Sequence, residues 1–132
     1  TLNTLTVDYT KTRQQFGTPI SSFQVLQHRM VDTFMACEQT KSMLYRGLCE
    51  SKSVAEGETD VEALAKTVHA LKATVARYGK TIGEEAIQLH GGIGMTDELN
   101  IGHYVKRLMM INTTFGDGDF HQKKFNQLSY SV

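Results

Sequence analysis

Two stretches of this sequence, each about thirty residues long, carry apolar side chains at every third or fourth position, and only a long α-helix gathers such residues on one side. In the first they are Phe23, Leu26, Met30, Phe34, Cys37, Leu44 and Leu48. In the second they are Val61, Leu64, Val68, Leu71, Val75, Tyr78, Ile82 and Leu89. Helices this long far exceed the ~11-residue mean, so they need support along their length, which a bundle supplies. The second stripe opens on the cap residues Thr59 and Asp60, with Glu62 behind them, and runs into Gly91-Gly92, where glycine can close a helix in the left-handed conformation. Ala63, Ala65, Ala70, Ala73 and Ala76 keep that helix slim and predict that it is the central one.

The remaining chain reads in the same way. Thr1 to Arg13 spaces Leu2, Leu5 and Tyr9 for one helical face, ending before Gly17 and Pro19. The segment Glu56-Gly57-Glu58-Thr59 marks a turn between the long helices. A shorter helix is predicted from Leu99 to Asn112, with Ile101, Tyr104, Val105 and Leu108 together. Phe115 to Asp119 breaks the pattern, and a last helix starts near Asp119 or Phe120. No segment alternates as a strand would. The predicted fold is therefore all-α: an up-and-down four-helix bundle with long antiparallel helices, four to five helices in all.

Charge and composition exclude several classes. Fourteen basic residues balance fourteen acidic ones, so no basic face for nucleic acid is expected. No apolar run reaches the ~20 residues of a membrane span, and no signal segment is visible, so the expected location is the cytoplasm. That Thr1 opens the chain suggests an upstream part removed. Cys37 and Cys49 are twelve positions apart, ~18 Å along a helix, too far to join. They read as small core or interface residues rather than reactive thiols. The five histidines lack metal-ligand spacing, and no metal is expected.

Three loops can carry chemistry. Arg13-Gln14-Gln15-Phe16-Gly17-Thr18-Pro19-Ile20 offers a fork-shaped cation that can bind a phosphate or neutralise its own helix end. Gln88-Leu89-His90-Gly91-Gly92-Ile93-Gly94-Met95 can be a plain helix cap or a place where a ligand meets bare backbone. It is no Rossmann fingerprint, since a helix runs into the glycines instead of out of them. Thr114 to Asp119 sets Asp117 and Asp119 among glycines, as an N-cap or as a positioned base; an EF-hand loop would need Gly at Gln122 and Glu at Leu128.

Tyr9-x3-Arg13-x-Gln15-Phe16-Gly17-x-Pro19-Ile20-x2-Phe23-Gln24-x2-Gln27 and the Gln88 to Met95 segment, in this order and at this spacing, resemble the signatures of the acyl-CoA dehydrogenase family. The resemblance covers essentially the whole of residues 1–132 and is to the family's C-terminal helical bundle, without its N-terminal helical and middle β domains. It implies a flavoprotein that oxidises acyl-CoA to trans-2-enoyl-CoA, the opening step of fatty-acid β-oxidation. A carboxylate takes the α-proton and the β-hydride passes to flavin adenine dinucleotide (FAD). It also implies an electron-transfer flavoprotein as acceptor, and a homo- or hetero-oligomer that shares the flavin site across the subunit interface.

By match to the motifs, Arg13 is expected to hold the FAD pyrophosphate. Gln15, Phe16 and Gln24 line the adenosine side, and Gln88 and Gly92 contact the same dinucleotide. Counting from Val105-Lys106-Arg107-Leu108-Met109, which resembles the family's Val-Glu-Lys-Leu-Met, the base falls on Asp119, with Asp117 as second candidate and Phe120 where glycine is usual. Gly102-His103-Tyr104-x-Lys106-Arg107 and Phe115-Gly116-Asp117-x-Asp119 resemble small subunits of the pimeloyl-CoA dehydrogenase type. The alternative within the resemblance is a non-catalytic structural subunit of a heteromeric complex. The chain alone is predicted to be inactive.

Overall fold

In the computed structural model, which describes residues 1–96 and 98–130, five α-helices account for most of the chain. They are α1 (Leu2–Thr12), α2 (Gln24–Ala55), α3 (Val61–His90), α4 (Ile101–Thr113) and α5 (Gly118–Ser129). The predicted helical periodicities are all present. Short 3-10 turns at Ile20–Ser22 and Gly91–Met95 complete the inventory with a pair of strands, β1 (Gln14–Gln15) and β2 (Thr18–Pro19).

That strand pair corrects the expectation of a strandless chain. It is antiparallel, with Gln14 opposite Pro19 and Gln15 opposite Thr18. Two residues per strand are too few for any alternation to be read. The turn between them has Phe16 at φ 55° and Gly17 at φ 79°. A two-residue hairpin whose central residues both have positive φ matches the twist of its strands; glycine adopts it freely, whereas phenylalanine does so under strain.

Helix ends follow local chemistry. Asp60 caps α3, its Oδ1 accepting from the Ala63 amide at 2.7 Å, and Gly91 at φ 62° follows the last turn. Asp117 caps α5 in the same way, its Oδ1 accepting from the Phe120 amide at 2.8 Å. We expect Asp117→Ala to cost about 1 kcal/mol in denaturant unfolding, and Asp117→Asn, which can still cap, to cost little.

The chain divides into two compact units, residues 1–37 with 79–109, and residues 38–78 with the described residues from 110 onward. In the first, Leu2, Ala86, Ile101 and Val105 form a buried cluster, with Ile82, Ile87, Leu99 and Leu108 against it. There α2 and α3 run antiparallel, tied by Arg29 and Glu85, while Val105 of α4 lies beside Gly83 of α3. In the second, Gly47 of α2 packs on Leu71 of α3, and Ala76, His69 and Lys66 of α3 meet Gly118, His121 and Phe125 of α5. In both units α3 touches more than one neighbour, as its small residues predicted.

The buried side of α2 differs from the predicted stripe. Thr33, Ala36 and Gly47 are buried, while Phe34, Leu44 and Leu48 are about half exposed. Small residues allow a closer helix approach than large ones, so they take the contact and turn the bulky side chains outward. Among the described residues no helix is long and apolar enough to cross a membrane, and Cys37 and Cys49 form no disulfide.

Candidate functional site

The first compact unit contains a cleft of about 580 Å³ where the end of α1, the hairpin and the start of α2 face the end of α3. Two of the three loops singled out in the sequence meet here although they are some seventy-five residues apart. Arg13, Gln15 and Phe16 form one side, Gln88, Gly91 and Gly92 the other, and Ile20, Phe23 and Leu26 give an apolar floor.

Arg13 reaches this position because α1 stops there. Its backbone leaves the helix at φ −71°, ψ 122°, its amide still donating to the Tyr9 carbonyl at 2.8 Å and its own carbonyl accepting from Ile20 at 2.9 Å. The guanidinium is exposed and forms no ion pair among the described residues. A second arginine in the cleft contrasts with it. Arg29 donates to both oxygens of Glu85, at 2.6 and 3.0 Å, and this hydrogen bond outweighs burial to hold its pKa above the ordinary value. Arg29 is committed to α3; Arg13 remains available to an anion.

Opposite Arg13 the backbone is bare. A β-carbon on Gly91 or Gly92 would have no atom within 4 Å, so a ligand can lie directly on these peptides. Phe16, 92% exposed, stands edge-on to Phe23 with ring centroids 6.1 Å apart, an open aromatic face held by the strained hairpin. Gln15 and Gln88 each add an amide able to donate and accept. The set of an unpaired cation, bare amides, carboxamides and an exposed ring suits a phosphate-linked aromatic nucleotide.

Of the six predicted cofactor residues, five line the cleft. Gln24 does not: as first residue of α2 it is exposed, and its neighbours Phe23 and Val25 take the lining positions. Among the lining residues outside that prediction, two interact with each other. Tyr9 and His90 stack with centroids 4.4 Å apart, and the His90 Nδ1–H donates to Ala86 at 2.7 Å, which fixes its ring. The helical face of Tyr9 was legible, but no local signal pairs it with a residue eighty-one positions away.

Asp117 and Asp119 belong to the other unit. Both are exposed; Asp117 is engaged as the α5 cap, and the side chain of Asp119, in the first turn, makes no hydrogen bond among the described residues. The loop before them is strained, with Phe115 at φ 61° and Gly116 at φ 101°. The Phe115 carbonyl accepts from His121 at 3.0 Å, and that of Thr114 from Lys72 at 2.8 Å.

Comparison with known proteins bears directly on this arrangement. A family model described as acyl-CoA dehydrogenase, C-terminal domain, matches residues 3–124. The acyl-CoA dehydrogenase IpdE2 of Mycolicibacterium smegmatis is 38% identical over 105 residues, 78% of this chain and 29% of that protein. Among solved structures, the FAD complex of PigA superposes with a TM-score of 0.82 at 27% identity, covering 96% of this chain and 31% of that one. The ChsE4-ChsE5 complex from Mycobacterium tuberculosis does so at 0.85 and 20% identity, a likeness of fold alone, covering 99% of this chain and 34% of that one. The chain thus spans between 29% and 34% of the length of these relatives.

Proposed function

The chain belongs to the acyl-CoA dehydrogenase family, matching its C-terminal domain, and from that premise we propose that it completes the FAD site of an enzyme that oxidises an acyl thioester to its trans-2-enoyl product. The observation that carries this reading is the unpaired Arg13 facing the bare backbone of Gly91 and Gly92 across one cleft. Arg13 would hold the FAD pyrophosphate through a charge-assisted, fork-shaped contact. Gln15 and Phe16 would lie along the adenosine, and Gln88 with the Gly92 amide would bind from the far side. Gln24 would contribute only from the rim.

Bound FAD supplies the acceptor for the hydride leaving the β-carbon. This chain's part in the chemistry is then the α-proton. Of the two carboxylates, Asp117 is already engaged as a helix cap, so Asp119 is the one free to receive that proton. Asp119 would take the α-proton of the thioester, while FAD, held by Arg13, Gln15, Phe16, Gln88 and Gly92, would supply the redox chemistry, with an electron-transfer flavoprotein as the final acceptor. The flavin site is shared between subunits, of one kind or of two.

One observation favours a second reading. Asp119 is exposed in this chain, whereas a carboxylate that removes an α-proton works away from water. The chain would then serve as a flavin-binding but non-catalytic subunit of a heteromeric complex. Of the proteins named above, PigA is described with FAD and ChsE4-ChsE5 as a complex of two. None is of the pimeloyl-CoA type, so the substrate is proposed only as an acyl thioester. The test is to purify the intact protein with any natural partner and add acyl-CoAs anaerobically. Visible flavin absorbance that bleaches on addition supports catalysis, absorbance without bleaching supports the structural subunit, and a colourless protein overturns both readings.

A further inference from the structure

In the second compact unit two histidines meet through like atoms: Nδ1 of His69 on α3 lies 2.8 Å from Nδ1 of His121 on α5. The hydrogen bonding of His121 decides where the protons sit. Its Nε2 is 3.0 Å from the Phe115 carbonyl, and a carbonyl only accepts, so Nε2 carries a proton. In neutral His121 the Nδ1 is then a lone pair, and the 2.8 Å contact requires His69 to donate from Nδ1. The result is a directed chain from His69 through His121 to the Phe115 carbonyl.

What the chain holds is a loop that local energetics disfavour. Phe115 is left-handed at φ 61° and yet 92% exposed, so burial of its ring offsets none of the strain. Gly116 follows at φ 101°, and a β-carbon there would lie 2.6 Å from the Phe120 ring and 3.2 Å from His121 Nε2. Such a conformation persists only where several contacts over-determine it. Here they are His121 on the Phe115 carbonyl, Lys72 on the carbonyls of Ile111 and Thr114, and the Asp117 cap. His121 is itself buried at 6% exposure.

We propose that the His69–His121 pair is a positioning device that locks the Phe115–Asp119 loop, and so aims the Asp119 side chain, by delivering one oriented N–H to the Phe115 carbonyl. The aiming of Asp119 rests on the function proposed above; the locking of the loop does not. The pair accommodates one added proton, since a charged His121 can donate to a His69 that now accepts. Two would set N–H against N–H and break it. The charges that act on His69 are those of His121 and Lys124 on α5; Lys66 and Lys72 lie a turn away on α3, and Asp117 and Asp119 open α5 just before His121. Burial first, then the charges of His121 and Lys124, push the His69 pKa below its ordinary value of 6.5. A depressed histidine pKa means that the neutral form is favoured on folding. Its contribution is complete above 6.5 and lost as pH falls through the lowered value.

The test is hydrogen exchange of residues 111–121 in the intact protein, with flavin reduction by thioester measured in parallel. His69→Leu is expected to speed exchange there by about threefold to tenfold, the worth of one net hydrogen bond, and to slow flavin reduction without loss of flavin. His69→Asn is expected to restore both, because its amide donates from nearly the place of Nδ1. It is also expected to lack the acid loosening expected of the unmodified protein, since the amide can turn and accept from a charged His121. Unchanged exchange in His69→Leu overturns the proposal. If that variant does not fold, an acid step of equal size in the unmodified protein and His69→Asn overturns it instead. A loosened loop with undiminished flavin reduction leaves the lock standing and sinks the assignment of Asp119 as base.

Discussion

Replacing Asp119 by Asn in the intact protein is expected to leave the flavin bound and to slow its bleaching by acyl thioester at least about a hundredfold, the lower end of what a positioned general base contributes. Asparagine keeps the shape and removes the basicity, so the loss would report proton abstraction and not a rearranged loop. The paired control is Asp117→Asn. That change preserves the α5 cap, because the carboxamide oxygen still accepts from the Phe120 amide, and bleaching should survive it. Loss in the Asp117 variant alone would move the base to Asp117. Survival in both would mean that this chain supplies no base and would favour the structural-subunit reading. The measurement is anaerobic stopped-flow absorbance in the flavin band.

Arg13→Ala is expected to weaken FAD binding about tenfold to a hundredfold, the effect of removing a charge-assisted contact of ~1.5–3 kcal/mol. The effect should be large because Arg13 has no competing ion pair among the described residues, so its charge is free for phosphate. Arg29 is a useful contrast: its guanidinium is engaged by both oxygens of Glu85, and Arg29→Ala should act on the packing of α2 against α3 more than on a phosphate. The flavin-to-protein ratio after gel filtration, with acyl-chain preference as control, checks the first expectation. Unchanged occupancy in Arg13→Ala would reduce Arg13 to the charge at the end of α1.

The agreement between sequence and structure is uneven for a physical reason. Helix periodicity, the Asp60 cap and the Gly91 stop depend on residues within one or two turns of one another, so the string of residues contains all the partners involved. The all-α class and the boundaries of α1 to α5 were legible to within a few residues. So was the matching of the Arg13 to Ile20 and Gln88 to Met95 loops to one family, because motif spacing is itself a local property. The strand pair Gln14–Gln15 and Thr18–Pro19 was not, since four residues carry no period.

Tertiary structure decided which side of each helix meets which neighbour, and therefore every pairing across distance. The apolar stripe of α2 suggested that Phe34, Leu44 and Leu48 face the core, but Thr33, Ala36 and Gly47 do, because close approach of helices rewards small side chains over large ones. The sequence left Asp117 open between cap and base, and only the Phe120 amide at 2.8 Å showed that it caps. Arg29 with Glu85, Tyr9 with His90 and His69 with His121 are fifty-two to eighty-one residues apart. The sequence by itself determined where the helices run, where the loops fall and which family they resemble. Which arginine remained free for a ligand, and which histidines were brought to the strained loop, followed from helix packing, because the partner of a side chain depends on the placement of the whole helix that carries it.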